Sequence, residues 1–313
     1  ALGLVAMIML AQIPPRLIRT IAPWAYVIGL VLLFAVMFLG DISMGAQRWL
    51  DLGVVRFQPS EIMKLAVPMM VAWYFHPRNL PPTVKDTLVA FVMLAAPAVL
   101  IAFQPDLGTA MLIGLSGCIT IFLAGLRWRI LLALAGLAAA AAPALWYVMH
   151  DYQRNRIYTF LNPESDPLGS GWNIIQSKIA VGSGGLLGKG WLQGTQSRLE
   201  FIPERHTDFI LAVLAEEWGL VGVAMVLVTY VIITGRCSYI AGMAKDTYSR
   251  LLAGSLGFTF FIYVMVNSGM VSGLLPIVGV PLPLISYGGT SIVTLLAGFG
   301  IIMSIHGHRN FIR

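Results

Sequence analysis

The sequence predicts an all-α polytopic membrane protein. Hydrophobic residues make up 58% of its 313 residues and charged residues only 11%, which is too little charge to cover the surface of a soluble protein of this length. Apolar runs of about 17–25 residues recur along the chain, and a helix of that length crosses a bilayer. We therefore predict a single integral membrane domain over residues 1–313, with a large extracytoplasmic loop at about 150–206.

About nine transmembrane segments account for the apolar runs, and the first of them is partial. The segments lie at about 1–13, 21–40, 59–76, 86–103, 107–125, 128–149, 208–234, 252–272 and 285–305. The first segment is too short for a hydrocarbon core of about 30 Å, and the sequence begins without a methionine. We expect at least one further apolar helix upstream of it.

Basic residues recur in every second connection and set the predicted orientation. These residues are Arg16/Arg19, Arg78/Lys85, Arg127/Arg129, Arg236/Lys245/Arg250 and Arg309/Arg313. Because short loops rich in Lys and Arg stay in the cytoplasm, these connections and the C-terminus are predicted to be cytoplasmic. The other connections, near 41–58, 104–106, 150–206 and 273–284, are then predicted to face outward.

Three features that suggest other functions are weak. The net charge of +6 does not indicate a nucleic-acid partner, because the basic residues lie in short loops between spans. Cys118 and Cys237 are far apart in sequence and form no disulfide or metal pattern. The run 182–190 looks like a phosphate loop, but Ser183 and Gly190 stand where the Walker pattern needs Gly and Ser or Thr.

The first outward connection and the helix after it carry candidate site residues. Arg48 and Trp49 lie in an amphipathic loop, at a position suited to the headgroup level. Ser60 is predicted to cap the following helix, and Glu61 favours its positive end. Lys64 lies on the same helical face as Glu61. Two interpretations of this pair are open. It is either an ordinary ion pair at the membrane rim or a charged wall of a substrate site. In the next outward turn, Asp106 is predicted to cap a helix.

The loop at 150–206 is the one long polar connection in the sequence, and such loops are usually functional or disordered. Trp172, Trp191 and several Ile and Leu residues predict that it folds onto the membrane surface. Its six basic and five acidic residues nearly balance, which argues against a simple anchor to anionic lipid.

Asp208 follows this loop at the mouth of an apolar helix, where an ionisable residue is a functional candidate. Its position at the helix start should favour the carboxylate form. A purely structural role, as an anion stabilised by the helix dipole, is equally open. Glu216 and Glu217 lie about two turns deeper, so we expect them to be paired or protonated.

The last outward connection cannot form a continuous helix, because Pro276, Pro281 and Pro283 interrupt it. Irregular backbone at membrane depth is tolerated where it lines a cavity or is buried in protein. We therefore predict that Ser286–Gly289 converges with the Asp208 turn and with the pair Glu61/Lys64.

Five motifs, which span nearly the whole chain in a fixed order, resemble the SEDS (shape, elongation, division, sporulation) membrane glycosyltransferases. They are FQPSEIMKL, QPDLGTA, GSGGLLGKGWLQGTQS, PERHTDFILAVLAEEWG and GVPLPLISYGGTS. The third and fourth resemble the RodA branch of the family, which serves elongation, more than the FtsW branch, which serves division. The resemblance implies a fold with ten transmembrane helices.

The resemblance also implies an activity, which is polymerisation of lipid II into peptidoglycan glycan strands on the outer face of a bacterial inner membrane. Asp208 matches the essential aspartate of the family, and Glu61 and Lys64 match its Glu and Lys. Arg48 and Trp49 match the Arg-Trp pair that precedes them. A class B penicillin-binding protein is the implied partner, and dependence on Mg²⁺ or Mn²⁺ is implied without a dedicated metal site. Membrane lipids are expected contacts, and nucleic acid is not.

Such a transfer needs a base on the attacking hydroxyl and positive charge on the departing diphosphate. Asp208 is the predicted base of an inverting displacement, and Glu61 and Lys64 complete the predicted catalytic set. The predicted substrate-binding residues are Arg48, Trp49, Gln58, Ser60, Lys178, Arg205, His206, Ser286, Tyr287 and Gly288.

Two functions of other classes compete with this one. Many spans, charged intramembrane residues and broken helices are also typical of transporters, which here would flip lipid II. The sequence shows no clear inverted repeat, and its polar residues gather on one face. A scaffold that only holds a transpeptidase is the third possibility, but it leaves the charged turn at Asp208 without a task.

Overall fold

The computed structural model describes residues 1–43, 46–51, 56–149, 151–166, 169–199, 201–202 and 204–308. Its helices are α1 (Leu2–Gln12), α2 (Pro15–Leu39), α3 (Pro59–Phe75), α4 (Val84–Phe103), α5 (Leu107–Leu123), α6 (Trp128–Val148), α7 (Asp151–Leu161), α8 (Ser170–Ser183), α9 (Thr195–Arg198), α10 (Ile210–Met243), α11 (Thr247–Val271) and α12 (Gly289–Gly307). Arg309 and Arg313, on which the prediction for the C-terminus partly rests, lie outside the described residues.

The predicted all-α membrane architecture is confirmed. Each of the nine predicted apolar segments overlaps one of these helices. Within the described residues, five helices are long and apolar enough to cross a membrane, namely α2, α4, α10, α11 and α12. The agreement has a simple cause: in lipid, backbone groups must be satisfied within the segment, so an apolar run of sufficient length becomes a helix.

The first outward connection is more regular than the predicted amphipathic loop. It forms an antiparallel sheet of β1 (Asp41–Ser43), β2 (Ala46–Asp51) and β3 (Arg56–Phe57), in that order. Pairing between these strands satisfies backbone groups that would otherwise need water. The prediction that Ser60 caps α3 is wrong, because the helix begins at Pro59 and its N-cap is Gln58. Proline is favoured at the first helical position, since its missing N–H would have no partner there.

The described part of the connection at 150–206 is folded, and its contact with the membrane surface stays a prediction. It contains α7, α8, α9 and a 3₁₀ helix at Pro163–Ser165. Its closing segment is tied to α8, because the Trp172 indole donates a 2.7 Å hydrogen bond to the carbonyl of Phe201.

The chain divides into two compact units. The first comprises Ala1–Arg127, Ile233–Phe261 and Gly289–Arg313, and the second comprises Trp128–Ile232 and Ile262–Gly288. The core of the first unit is apolar, with Leu33, Met63, Phe75, Ile113 and Leu252 among its fully buried side chains. Buried side chains of the second unit include Ile174, Ile202 and Phe209.

Helix α10 is interrupted at Gly219, whose φ of 66° is not helical. A regular helix would join the amides of residues 220 and 221 to the carbonyls of residues 216 and 217. Instead, the glycine-rich segment 185–190 supplies all four partners. Lys189 and Gly190 donate to the carbonyls of Glu216 and Glu217, each at 3.0 Å. The amides of Leu220 and Val221 donate to the carbonyls of Gly185 and Leu186, at 2.9 and 3.1 Å.

Candidate active site

Asp208 lies in the second unit, in the tight turn that leads into α10. The amides of Thr207 and Phe209 both donate to the carbonyl of Glu204, at 3.2 Å. Phe209 is buried and fixes the turn to the interior, while Asp208 itself is half-buried. The side chain therefore belongs to a constrained turn just before the first residue of a membrane helix.

Three consecutive carbonyls of this turn are held by the segment between α11 and α12 and by α11 itself. His206 O accepts the amide of Tyr287 at 2.8 Å. Thr207 O accepts the hydroxyl of Ser286 at 2.6 Å, and Asp208 O accepts the side-chain amide of Asn267 at 2.8 Å. The structure thus brings the Asp208 turn together with the Ser286–Gly289 run, which are two of the three features predicted to converge.

Asn267 is a residue of this site that the sequence analysis missed. Its side chain is fully buried in α11, and its NH₂ group donates both to Asp208 O and to Val280 O, the latter at 2.7 Å. Its only signal in the sequence is an amide side chain within an apolar helix. Gly279 directly precedes Val280, and a Cβ at Gly279 would be 3.7 Å from Oδ2 of Asp208, so this segment approaches the carboxylate.

The surroundings of Asp208 raise the pKa of its carboxyl group to about 6, first through burial and second through the nearby charge of Glu204. The prediction that the helix start favours the carboxylate is therefore wrong in its net effect. Desolvation penalises the charged form, and it is the largest cause of the shift. Glu204 is itself held in place, since the hydroxyl of Thr207 donates to its Oε2 at 2.7 Å.

Two predicted cationic residues belong to the same unit. Arg205 donates from Nη1 to the carbonyl of Ser197 at 2.5 Å and from Nε to Nε2 of His206 at 3.1 Å. Lys178 projects from α8 across Gly273, where a Cβ would lie only 2.0 Å from its Cε. Lys178 and Asp208 therefore lie against the same short segment, at Gly273 and Gly279 respectively.

The predicted substrate-binding residues after α11 differ in exposure. Ser286 is buried, and its hydroxyl both donates to Thr207 O and accepts the amide of Leu282 at 2.7 Å. That hydroxyl supports the turn rather than facing open space. Tyr287 is exposed, and Gly288 directly precedes α12.

In the first unit, Glu61 and Lys64 form the predicted ion pair, with Nζ of Lys64 2.7 Å from Oε1 of Glu61. Glu61 is buried, and its Oε2 has no hydrogen-bond partner among the described residues. The side chain lines a cavity of about 320 Å³ whose other walls are mostly apolar residues of α1, α2, α3 and α12. A buried carboxylate with a spare oxygen beside a cavity is compatible with a polar ligand group.

Asp106 contacts two of the other residues predicted in the first unit, Arg48 and Gln58. It caps α5 as predicted, since its Oδ1 accepts the amide of Thr109 at 3.2 Å. Its Oδ2 is 3.7 Å from Nη1 of Arg48 and accepts Nε2 of Gln58 at 3.3 Å. Trp49 follows Arg48 in β2. Ser60 is buried, and its hydroxyl has no partner among the described residues.

Glu216 is paired, as its depth in α10 predicts. The side chain is 0% exposed, and its Oε1 accepts Nζ of Lys189 at 2.7 Å, the hydroxyl of Thr195 at 3.0 Å and the amide of Gln196 at 3.1 Å. Its Oε2 accepts the amide of Ser197 at 3.3 Å. This carboxylate holds the start of α9, whose residue Ser197 in turn accepts Arg205.

The site residues thus fall into two sets. Asp208, Arg205, His206, Ser286, Tyr287, Gly288 and Lys178 belong to the second unit, whereas Glu61, Lys64, Arg48, Trp49, Gln58 and Ser60 belong to the first. The meeting of Glu61 and Lys64 with Asp208 stays a prediction.

Comparison with known proteins assigns the chain to a family. The sequence profile of the FtsW, RodA and SpoVE cell cycle proteins matches residues 1–311. The chain belongs to this family, the SEDS family. It is 58% identical over 313 residues to the peptidoglycan glycosyltransferase MrdB of Escherichia coli K12, a match that covers 100% of this chain and 85% of MrdB.

Solved SEDS structures have the same fold. One is a peptidoglycan synthase complex that coordinates polymerization and crosslinking, with a TM-score of 0.85 and 35% identity over 98% of this chain and 87% of the matched one. Another is the rod shape determining protein RodA of Thermus thermophilus, with a TM-score of 0.72 and 30% identity over 98% of this chain and 85% of that one. The predicted SEDS fold and the resemblance to RodA are confirmed. With its apolar helices, the chain is a multi-pass protein of the inner membrane.

Proposed function

We infer that this chain is a peptidoglycan glycosyltransferase that polymerises lipid II into glycan strands during cell elongation. The observation that carries this conclusion is the 58% identity to the peptidoglycan glycosyltransferase MrdB over all 313 residues of this chain. The geometry of the Asp208 turn supports the catalytic assignment, because it offers one half-buried carboxylate on a fixed backbone with cations in the same unit.

Asp208 is the general base in this proposal. It takes the proton of the attacking sugar hydroxyl while that oxygen bonds to the anomeric carbon of the donor. The bond from that carbon to the diphosphate oxygen breaks on the opposite face, so the configuration inverts and the lipid diphosphate leaves. A base is most effective when its pKa lies near the working pH. The raised pKa of about 6 meets this condition while leaving most Asp208 side chains ionised at pH 7.

The leaving diphosphate needs positive charge as it departs. Arg205 and Lys178 are the candidates beside the Asp208 turn. Arg205 is already oriented by Ser197 and His206, and Lys178 is placed on the segment that also approaches Asp208. Tyr287 and Gly288 are proposed to contact the sugars.

Glu61, Lys64 and Arg48 are proposed to form a polar wall for the substrate in the first unit, with Trp49, Gln58 and Ser60 beside them. The spare oxygen of Glu61 at the edge of an apolar cavity supports this role. Lys64, paired to Glu61 at 2.7 Å, would orient that carboxylate or assist proton transfer.

A divalent cation remains part of the proposal without an assigned protein site. The described residues contain no group of three or more His, Cys, Asp and Glu side chains suited to hold a metal. Mg²⁺ is commonly held by substrate phosphates and only one or two carboxylates. When bound, it would neutralise diphosphate charge.

We further propose a class B penicillin-binding protein as partner, which would cross-link the strands. The similarity to a solved synthase complex that couples polymerization to crosslinking supports this partner. The reaction is placed on the outer face of the inner membrane and the C-terminus in the cytoplasm, which the distribution of Lys and Arg between connections supports. Lipid II and membrane lipids are the other partners, and nucleic acid is not among them.

The test is polymerisation of labelled lipid II by the purified full-length protein in detergent. We expect wild type to make glycan polymer and Asp208→Asn to make none, because the amide is not a base. Glu164→Gln, which alters an exposed carboxylate of the same unit, serves as the matched control and should retain activity. Polymer from Asp208→Asn at the wild-type rate would remove Asp208 from this role. Flipping of lipid II in vesicles without any polymer would instead indicate a transporter.

A further inference from the structure

The segment 185–193, GLLGKGWLQ, presents large apolar side chains outward although it sits in a polar connection. Leu187 is 81% exposed and Trp191 is 68% exposed. Leu186 and Leu192 are also exposed. Exposed apolar clusters of this kind mark contacts with another protein or with a membrane.

This segment is rigidly attached, so its exposure is a fixed property of the fold. The four backbone hydrogen bonds at the interruption of α10 hold it from Gly185 to Gly190. Two glycines make the close approach possible. A Cβ at Gly188 would lie 2.1 Å from the carbonyl oxygen of Glu217, and one at Gly219 would lie 2.4 Å from the amide nitrogen of Gly188.

The segment also carries no unpaired charge into its apolar surroundings. Lys189 is its one ionisable residue, and its ammonium group is 2.7 Å from Oε1 of the buried Glu216 and 2.8 Å from the hydroxyl of Thr195. The apolar side chains can therefore enter a low-dielectric medium without taking an isolated cation with them.

The length of α10 indicates that this low-dielectric medium is the lipid bilayer. From Leu220 to Met243 the helix has 24 residues (243 − 219), or about 36 Å at ~1.5 Å per residue, which already spans a hydrocarbon core of about 30 Å. The interruption at Gly219 therefore falls near one membrane surface. Trp218 packs edge-to-face on Trp191, with ring centroids 6.1 Å apart, and paired Trp side chains are typical of that boundary.

We propose that the segment 185–193 is an interfacial anchor, seated in the bilayer surface nearest Asp208, with its leucines among the acyl chains. Lipid is the occupant because the exposed face continues directly into that of α10. Leu220, Val221, Met225 and Val228 are all apolar and exposed, and one bilayer covers both. The attachment is apolar, in keeping with the nearly balanced charge of the whole connection.

The anchor has a consequence for catalysis, which rests on the proposed function. Asp208 lies two residues before the start of α10, and the part of α10 from Ile210 to Trp218 joins it to the anchored interruption at Gly219. The anchor would thereby hold the carboxylate at a fixed height relative to the bilayer surface.

Site-directed spin labelling tests the anchor independently of activity. Nitroxides are placed at positions 187, 228 and 164 of the full-length protein, with Cys118 and Cys237 replaced by Ser, in phosphatidylethanolamine/phosphatidylglycerol nanodiscs. At 187 we expect high accessibility to oxygen and low accessibility to a water-soluble nickel chelate, as at the lipid-facing reference Val228. Accessibility to nickel equal to that at Glu164 would overturn the proposal, and so would low accessibility to both reagents, which indicates a protein cover.

The double variant Leu186→Gln/Leu187→Gln tests whether the anchor positions Asp208 relative to the bilayer surface. In proteoliposomes we expect polymerisation to slow by about tenfold, because small misplacements of reacting groups have effects of this size or larger. In detergent, with a short-chain lipid II analogue, its rate should equal that of wild type. Equal slowing in both media would overturn the proposal that the anchor sets the height of Asp208 relative to the bilayer. Absence of polymer from wild type in detergent would count against the proposed function instead.

Discussion

At Asp208, burial and the neighbouring carboxylate of Glu204 determine the pH at which the side chain ionises. Both raise its pKa, to about 6. If the ionised form is the base, polymerisation should rise with pH through about 6 and level off above it. The measurement is kcat/KM for lipid II between about pH 5 and 8, which reports the ionisation of the free enzyme.

Glu204→Gln separates the two causes. Removing that charge leaves burial as the main influence, so the midpoint should move to lower pH, while the rate above pH 7 should change little. Glutamine retains an oxygen that can accept the hydroxyl of Thr207. A midpoint that stays fixed in this variant would show that another group controls the profile.

Asn267 holds the backbone of the Asp208 turn, so under the proposed function its removal should affect the reaction rather than substrate affinity. Asn267→Ala leaves the carbonyls of Asp208 and Val280 without their donor. We expect kcat to fall by about tenfold to a hundredfold, the range that misplacement of a reacting group produces, with KM nearly unchanged. Ser268→Ala is the control, because the Ser268 hydroxyl has no partner among the described residues. Equal losses in both variants would contradict the specific role of Asn267.

At the scale of elements, the docking of 185–198 on α10 depends on one buried carboxylate. Glu216→Ala removes the acceptor for Lys189, Thr195 and two amides of α9. Breaking a buried pair of this kind costs about 3–5 kcal/mol, and the partial exposure of Lys189 places the expected loss at the lower end. A thermal unfolding scan in detergent should show a clear decrease in Tm.

The neighbouring Glu217 provides the matched comparison for that scan. It lies one residue further along α10 and is also buried, but it does not cap α9. Glu217→Ala should lower Tm by less than Glu216→Ala. The reverse order would show that the contacts of Glu216 contribute little to the attachment.

The sequence predicts elements well where the bilayer itself imposes the rule. Apolar length alone located α2, α4 and α12, because lipid permits few other conformations. It did not predict the sheet near Trp49, since short strands there depend on pairing rather than on a long pattern. The convergence of the Asp208 turn with Ser286 was predicted because both follow outward-facing connections and because prolines break the second one. Asn267 was missed because its contact with Asp208 joins residues 59 positions apart, and a lone amide in an apolar helix carries no pattern.

At the scale of the whole molecule, orientation is the property that the distribution of Lys and Arg predicts. We expect a cysteine at Glu164 to react with a membrane-impermeant maleimide in intact spheroplasts. A cysteine at Lys245, between α10 and α11, should react only after permeabilisation. Both positions are exposed, and Cys118 and Cys237 are replaced by Ser in each variant. Labelling of Lys245→Cys, but not of the cysteine at position 164, in intact spheroplasts would show that the topology is the inverse of the predicted one.

Ser286 and Tyr287, which lie between α11 and α12, hold two successive carbonyls of the Asp208 turn, so a shift of this segment also shifts the backbone next to Asp208. A small molecule that displaces this segment by an ångström would displace the Asp208 carboxylate as well. Inhibitors sought there need not resemble lipid II at all.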